Sequence, residues 1–138
     1  MSELQTAKAI FDVSSERWEY GVMDCCQFAA KVVERLTGER LGIEHTYATP
    51  EEAQAIVQSA GSLRAVINRS IGGTYAERMV KYCKSGDPIL VRVDRSLIAG
   101  VWPGYVMGIK FRGDIVVKTY NGVTTIPSSH AVCGWGVR

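Results

Sequence analysis

The chain has only two histidines, His45 and His130, and its four cysteines, Cys25, Cys26, Cys83 and Cys133, include no Cys-x-x-Cys pair. A structural zinc site and a short-loop disulfide scaffold both need spacings that are missing here, so reduced thiols and no metal are expected. The four cysteines also follow no ferredoxin pattern. A surplus of one charge is lacking too: sixteen Lys and Arg against fourteen Asp and Glu leave a net charge of +2, which predicts no nucleic-acid or anionic-membrane partner. The apolar stretch Leu97 to Ile109 is broken by Pro103-Gly104 and falls short of the roughly 20 residues that cross a bilayer as a helix. Glu3, Lys8 and Asp12 interrupt the first fifteen residues, so no signal-peptide core is expected.

What remains is ordinary, and useful for that reason. A length of 138 residues with 46% hydrophobic and 22% charged side chains predicts one soluble globular domain, residues 1–138. A chain of this size buries roughly 68% of its unfolded surface and needs no staples.

The first half reads as helical. Leu4, Ala7, Ile10 and Phe11 recur at helical spacing up to Ser14-Ser15. Cys25, Phe28, Ala29, Val32, Val33 and Leu36 form one apolar stripe, with Asp24 as N-cap and Gly38 as stop. Thr49-Pro50-Glu51-Glu52 has capping-box spacing with proline at the first helical position, predicting a helix whose buried side is Ala53, Ile56, Val57 and Ala60. Gly61 closes it, and Ser62 starts another through Leu63, Val66, Ile67 and Ile71.

After Gly86-Asp87-Pro88 the period becomes that of strands. Ile89–Val93, Leu97–Trp102, Tyr105–Phe111, Ile115–Tyr120 and Val123–Ile126 are short and rich in β-branched and aromatic residues. Asn121-Gly122 predicts a type I′ hairpin turn, with positive φ at both positions. Helices first and a meandering antiparallel sheet second predict an α+β fold, the helices packed on a C-terminal sheet.

Chemistry centres on Cys25. In the first turn of a helix a thiol meets the positive end of the helix dipole and free backbone N–H groups, which favour thiolate and make a nucleophile. Cys25 is also in line with Phe28 and Val32, so core packing is its other use. Cys26 points roughly 100° away around the helix. Asp12, Glu16, Glu19 and Asp24 follow no glycosidase or metal spacing and read as a solvated face. Trp102, Trp135, Tyr105 and Tyr120 read as core aromatics, with an exposed anchor surface for a partner as the alternative.

The run from Trp18 to Ala30, with Tyr20-Gly21 before Asp24-Cys25 at a helix mouth and Leu36-Thr37-Gly38 after it, resembles the NlpC-type cell-wall cysteine peptidases, a branch of the papain-like fold. More closely, the chain resembles a phage-encoded family of unknown function found among tail-assembly genes, which reads as a small relative of those peptidases. Its marks are Tyr20-Gly21, Asp24-Cys25, Tyr47, Gly86-Asp87, Ile126-Pro127 and Trp135.

The resemblance implies Cys25 as the nucleophile. It also implies a general-base histidine on the strand after Gly86-Asp87, where this chain has Leu97-Ile98-Ala99-Gly100-Val101 instead. A thiol attacks an amide well only when a base holds it as thiolate and a donor protonates the leaving amine, so both roles are missing. His130, 105 residues after Cys25, is the candidate replacement base, ahead of His45.

Three readings follow. The first is a structural or assembly protein of the phage tail, near its hub or baseplate, with a degenerate NlpC-like domain. It would be made in the host cytoplasm, reside in the virion tail, use no cofactor and have other tail proteins as partners. The alternative is an active peptidase or amidase acting on peptidoglycan through Cys25 and His130. A toxin or effector of the same fold is the third.

Overall fold

The computed structural model describes residues 2–41, 47–93 and 104–137. Among these residues four α-helices, α1 (Glu3–Ser14), α2 (Cys25–Thr37), α3 (Pro50–Ala60) and α4 (Leu63–Ile71), precede a sheet of β1 (Glu77–Arg78), β2 (Pro88–Val93), β3 (Gly104–Phe111), β4 (Asp114–Thr119), β5 (Gly122–Pro127) and β6 (Ala131–Trp135). The six strands lie in the order β1-β6-β2-β3-β4-β5, every pairing antiparallel. This is the expected α+β arrangement. The expected strand Leu97–Trp102 lies outside the described residues.

Each helix begins where a side chain can take an orphan N–H. Ser2 and Gln5 form a reciprocal capping box on α1, while Asp24, Thr49 and Ser62 accept from the third residue of α2, α3 and α4. Gly38 ends α2 in the left-handed conformation.

Two expected faces are corrected by the structure. On α1 the buried residues are Thr6, Ala9, Ile10 and Val13, whereas Leu4 and Phe11 point to solvent. Helical spacing fits either stripe, and contact with α2 selects the second. On α3 no residue is buried: Ala53, Ile56, Val57 and Ala60 are half-covered, because α3 leans mainly on α4 rather than on the sheet.

The helix side of the sheet carries the larger core, in which Phe28, Val32 and Val33 of α2 meet Leu90, Met107, Ile109, Val116 and Trp135. The opposite side holds a second cluster built on Ile89, Val91, Val106, Ile115, Val117 and Ile126. Strand alternation divides the two sets, since Val116 and Val117 face opposite ways.

β6 was not anticipated from sequence. The chain leaves β5 through a 3₁₀ turn, Ser128–His130, and returns beside β2. Asp87 fixes this junction from a buried position: its carboxylate accepts from Lys84 N at 2.8 Å and Val137 N at 3.3 Å. At the other end of the sheet the Lys118 ammonium is buried and donates to Ser14 O at 3.1 Å and Glu16 O at 2.6 Å, tying the exit of α1 to β4. Burial lowers the pKa of Lys118.

The β4–β5 hairpin forms with a different turn from the one expected. Thr119 pairs with Gly122, so the central residues are Tyr120 and Asn121, and of the three positions only Gly122 has positive φ. Thr119 Oγ1 holds this turn by accepting from Asn121 N and donating to Gly122 O.

Candidate functional site

The mouth of α2 is organised by Asp24. Its buried carboxylate accepts from Gln27 N at 2.9 Å, from Gly21 N at 2.9 Å and from the Tyr47 hydroxyl at 2.6 Å. Gly21 has φ +79, and a Cβ there would lie 2.0 Å from Tyr47 O, so only glycine allows the two segments to meet. The marks Tyr20-Gly21, Asp24 and Tyr47 are thus one hydrogen-bonded brace. Burial, with the neighbouring Cys26 and Asp24, raises the Tyr47 phenol and keeps it a neutral donor.

Cys25 and Cys26 occupy the first turn above this brace. Both are half-buried free thiols, with Sγ atoms 4.0 Å apart. Their contact, together with burial, pushes the Cys26 thiol well above its ordinary value. Among the described residues no acceptor meets the backbone N–H groups of Cys25 and Cys26, as expected for the first positions of a helix.

The thiols open onto a cavity of about 330 Å³. Trp18, Tyr20 and Tyr105 border one side, and Val57, Gln58 and Leu63 of the α3–α4 pair the other. Trp18 and Tyr20 belong to one ring cluster. Trp18 stands edge-on to Tyr20 and to Tyr120, with centroids 5.3 Å and 4.7 Å apart, and the Tyr20 and Tyr120 hydroxyls are 2.8 Å apart. Burial and this hydrogen bond raise the Tyr20 phenol. Trp18 Nε1 is buried and has no hydrogen-bond partner among the described residues.

The walls are apolar, aromatic and amide in character. Asp24 is the one charged residue among the described residues that line them, and its carboxylate is engaged inside the brace. His130 is half-buried on the 3₁₀ turn between β5 and β6 and is not one of the lining residues. His45 and Leu97–Val101 lie outside the described residues.

The other cysteines are elsewhere. Cys83 and Cys133 are buried in the two core clusters, and burial pushes Cys83 up and Cys133 to about 12. Among the described residues no group of three or more His, Cys, Asp or Glu could hold a metal ion, and no helix is long and apolar enough to cross a membrane.

Sequence reasoning placed Cys25 in the first turn of α2 and gave the capping role of Asp24. It missed Tyr47 as the partner of Asp24, Tyr120 as the partner of Tyr20, and α3 as a wall. Tyr120 is 100 residues from Tyr20, and no local pattern joins them. Of the aromatics expected in the core, Trp135 is fully buried and donates to Asn68 Oδ1 at 2.9 Å, Tyr105 is exposed and lines the cavity, Tyr120 is exposed and packs edge-on against Trp18, and Trp102 is outside the described residues.

A comparison with curated proteins returns no match. The family model described as a domain of unknown function, DUF6950, matches residues 2–137, and the chain belongs to that family.

Proposed function

We propose that the chain is a non-hydrolytic, NlpC-like assembly domain of a phage tail, in which the old substrate groove serves as a docking cleft. The observation that carries this reading is the wall beside Cys25: apolar side chains, aromatic rings and amides surround the thiol, and Asp24 spends its carboxylate on Gly21, Gln27 and Tyr47. Amide hydrolysis needs a proton acceptor for the thiol and a proton donor for the departing amine. A cleft of this composition suits an uncharged, partly apolar segment of a neighbouring protein. The tail, and its hub or baseplate in particular, enters through the sequence resemblance alone.

Two measurements test the reading. Incubated with peptidoglycan fragments, the wild-type chain and Cys25→Ala are expected to give the same absence of product. Turnover that Cys25→Ala abolishes would overturn the non-hydrolytic part. Mass spectrometry of purified virions and tail intermediates is expected to find the chain, and its absence from both would overturn the location.

One observation favours the active peptidase as a second reading: among the described residues no acceptor claims the N–H groups of Cys25 and Cys26 at the start of α2, where an oxyanion would be stabilised. It requires turnover lost in both Cys25→Ala and His130→Ala.

A further inference from the structure

Adjacent residues of a helix point about 100° apart, so neighbouring side chains ordinarily diverge. Cys25 and Cys26 do the opposite: their Sγ atoms converge to 4.0 Å in the first turn of α2. Both are free thiols. A disulfide holds its sulfurs about 2.05 Å apart, roughly half this distance. The gap instead suits two sulfurs that share one bound ion. With metal–sulfur bonds of about 2.3 Å, a separation of 4.0 Å closes an angle of about 120° at the ion.

The pair is held where it stands. Asp24 caps the turn that carries it, Cys26 packs against the helix-side core, and Cys25 packs against the opposite cluster. Both thiols also line the cavity of about 330 Å³, so an ion reaches them with α2 intact.

We propose that Cys25 and Cys26 together form a dithiol site for one soft ion of low coordination number, monovalent copper, held between the two sulfurs. As each sulfur–copper bond forms, that thiol gives its proton to solvent, and no electron is transferred. The resulting two-thiolate complex carries one net negative charge. It forms beside the N–H groups of Cys25 and Cys26, which no acceptor meets among the described residues, at the helix end that favours an anion.

The surroundings select the ion. Zinc takes three or four protein ligands, and among the described residues no group of three or more His, Cys, Asp or Glu could supply them. Magnesium and calcium need oxygen ligands, and the one carboxylate that lines the cavity among the described residues, Asp24, is engaged by Gly21 N, Gln27 N and the Tyr47 hydroxyl. Thiolates are soft ligands, and monovalent copper both prefers them and accepts only two or three. An angle of about 120° leaves the third position to a soft ligand entering from the cavity. This site goes beyond the docking reading and stands without it, since a cleft that holds no copper can still dock a partner.

The test titrates monovalent copper, kept reduced without oxygen, into the full chain against a chromophoric copper(I) chelator. One copper per chain is expected to stay with the protein. Cys25→Ser and Cys26→Ser are each expected to weaken retention at least about tenfold, the least that even outer-shell changes cost a metal site, with circular dichroism unchanged. Zinc is expected to be lost to a chelator of matching strength. No retained copper, retention unaltered when both thiols are replaced, or zinc held as firmly as copper would overturn the proposal. Alkylation of the wild-type chain gives a readout that needs no variant. One equivalent of copper is expected to slow iodoacetamide at Cys25 and Cys26 together, and protection of one thiol alone, or of neither, counts against a shared site.

Discussion

Across the cavity from one another, α2 buries Phe28, Val32 and Val33 completely, while α3 buries no residue at all. Both are amphipathic in sequence, both start at a side-chain cap, and both line the same space. The difference lies in what each one leans on. α2 packs on β2, β3 and β4, so its apolar stripe is enclosed by the sheet, whereas α3 rests mainly on α4. α4 in turn is fastened to the sheet by Arg64 on Glu77 and by Asn68 on Trp135. One wall of the cleft is therefore part of the core, and the other is held at second hand. Helices covered on one side by a single neighbour belong to the low-stability end of a structure.

The largest expected effect probes the fixed wall. Phe28→Ala should cost about 3–5 kcal/mol in chemical denaturation, because a fully buried ring leaves a cavity, while Val57→Ala on α3 should cost clearly less. Equal costs would erase the distinction between the two helices.

Next is the brace between them. Asp24→Ala strands Gly21 N, Gln27 N and the Tyr47 hydroxyl, and a loss of about 1–3 kcal/mol is expected in thermal or chemical unfolding. Alkylation by iodoacetamide should become faster at Cys25 and Cys26 in this variant and stay slow at the buried Cys83 and Cys133.

Thr49→Ala removes the α3 cap and should cost about 1 kcal/mol. Hydrogen exchange places the two helices on one scale of local stability: α3 amides should be less protected than α2 amides in the wild-type chain and lose further protection in the variant. Equal protection of the two helices in the wild-type chain would mean that they unfold as one unit.

The smallest effect sharpens the link through α4. Arg64, hydrogen-bonded to Glu77, holds that carboxyl at about 2, below its ordinary 4.5. A depressed carboxyl contributes stability above its unfolded value, and that contribution is lost as pH falls from about 4.5 toward 2. The melting temperature should drop over this window, and Glu77→Gln should flatten part of the drop. Exposure of the ion pair keeps the change modest.

Local signals were legible wherever a backbone N–H had to be satisfied nearby. Asp24, Thr49 and Ser62 announced three helix starts, and Gly38 announced an end. Periodicity found α1 but not its face, since Leu4–Ala7–Ile10–Phe11 and Thr6–Ala9–Ile10–Val13 are both helical stripes and only the packing of α2 distinguishes them. Asn121-Gly122 gave the hairpin and misplaced the turn by one residue, because the Thr119 hydroxyl closes the turn around Tyr120 and Asn121. β6 carries Gly134 and no strong alternation, and it exists by pairing with β2, more than forty residues earlier in the chain. For the site, Cys25 and Asp24 were visible because a helix mouth is a local feature. Its aromatic side was not, because Tyr20 meets Tyr120 only through the tertiary fold.

That distance in sequence sets an order of events during synthesis. Lys118 closes on Ser14 and Glu16, and Tyr120 closes on Tyr20, each across about a hundred residues. At about 5–20 residues per second, a ribosome has finished α1 and α2 for several seconds before β4 leaves it. Until then the last carbonyls of α1 have no ammonium to bind, and Trp18 has only one of its two aromatic neighbours. The thiols of Cys25 and Cys26 are present early in the nascent chain, but the cleft around them is completed only by its final third.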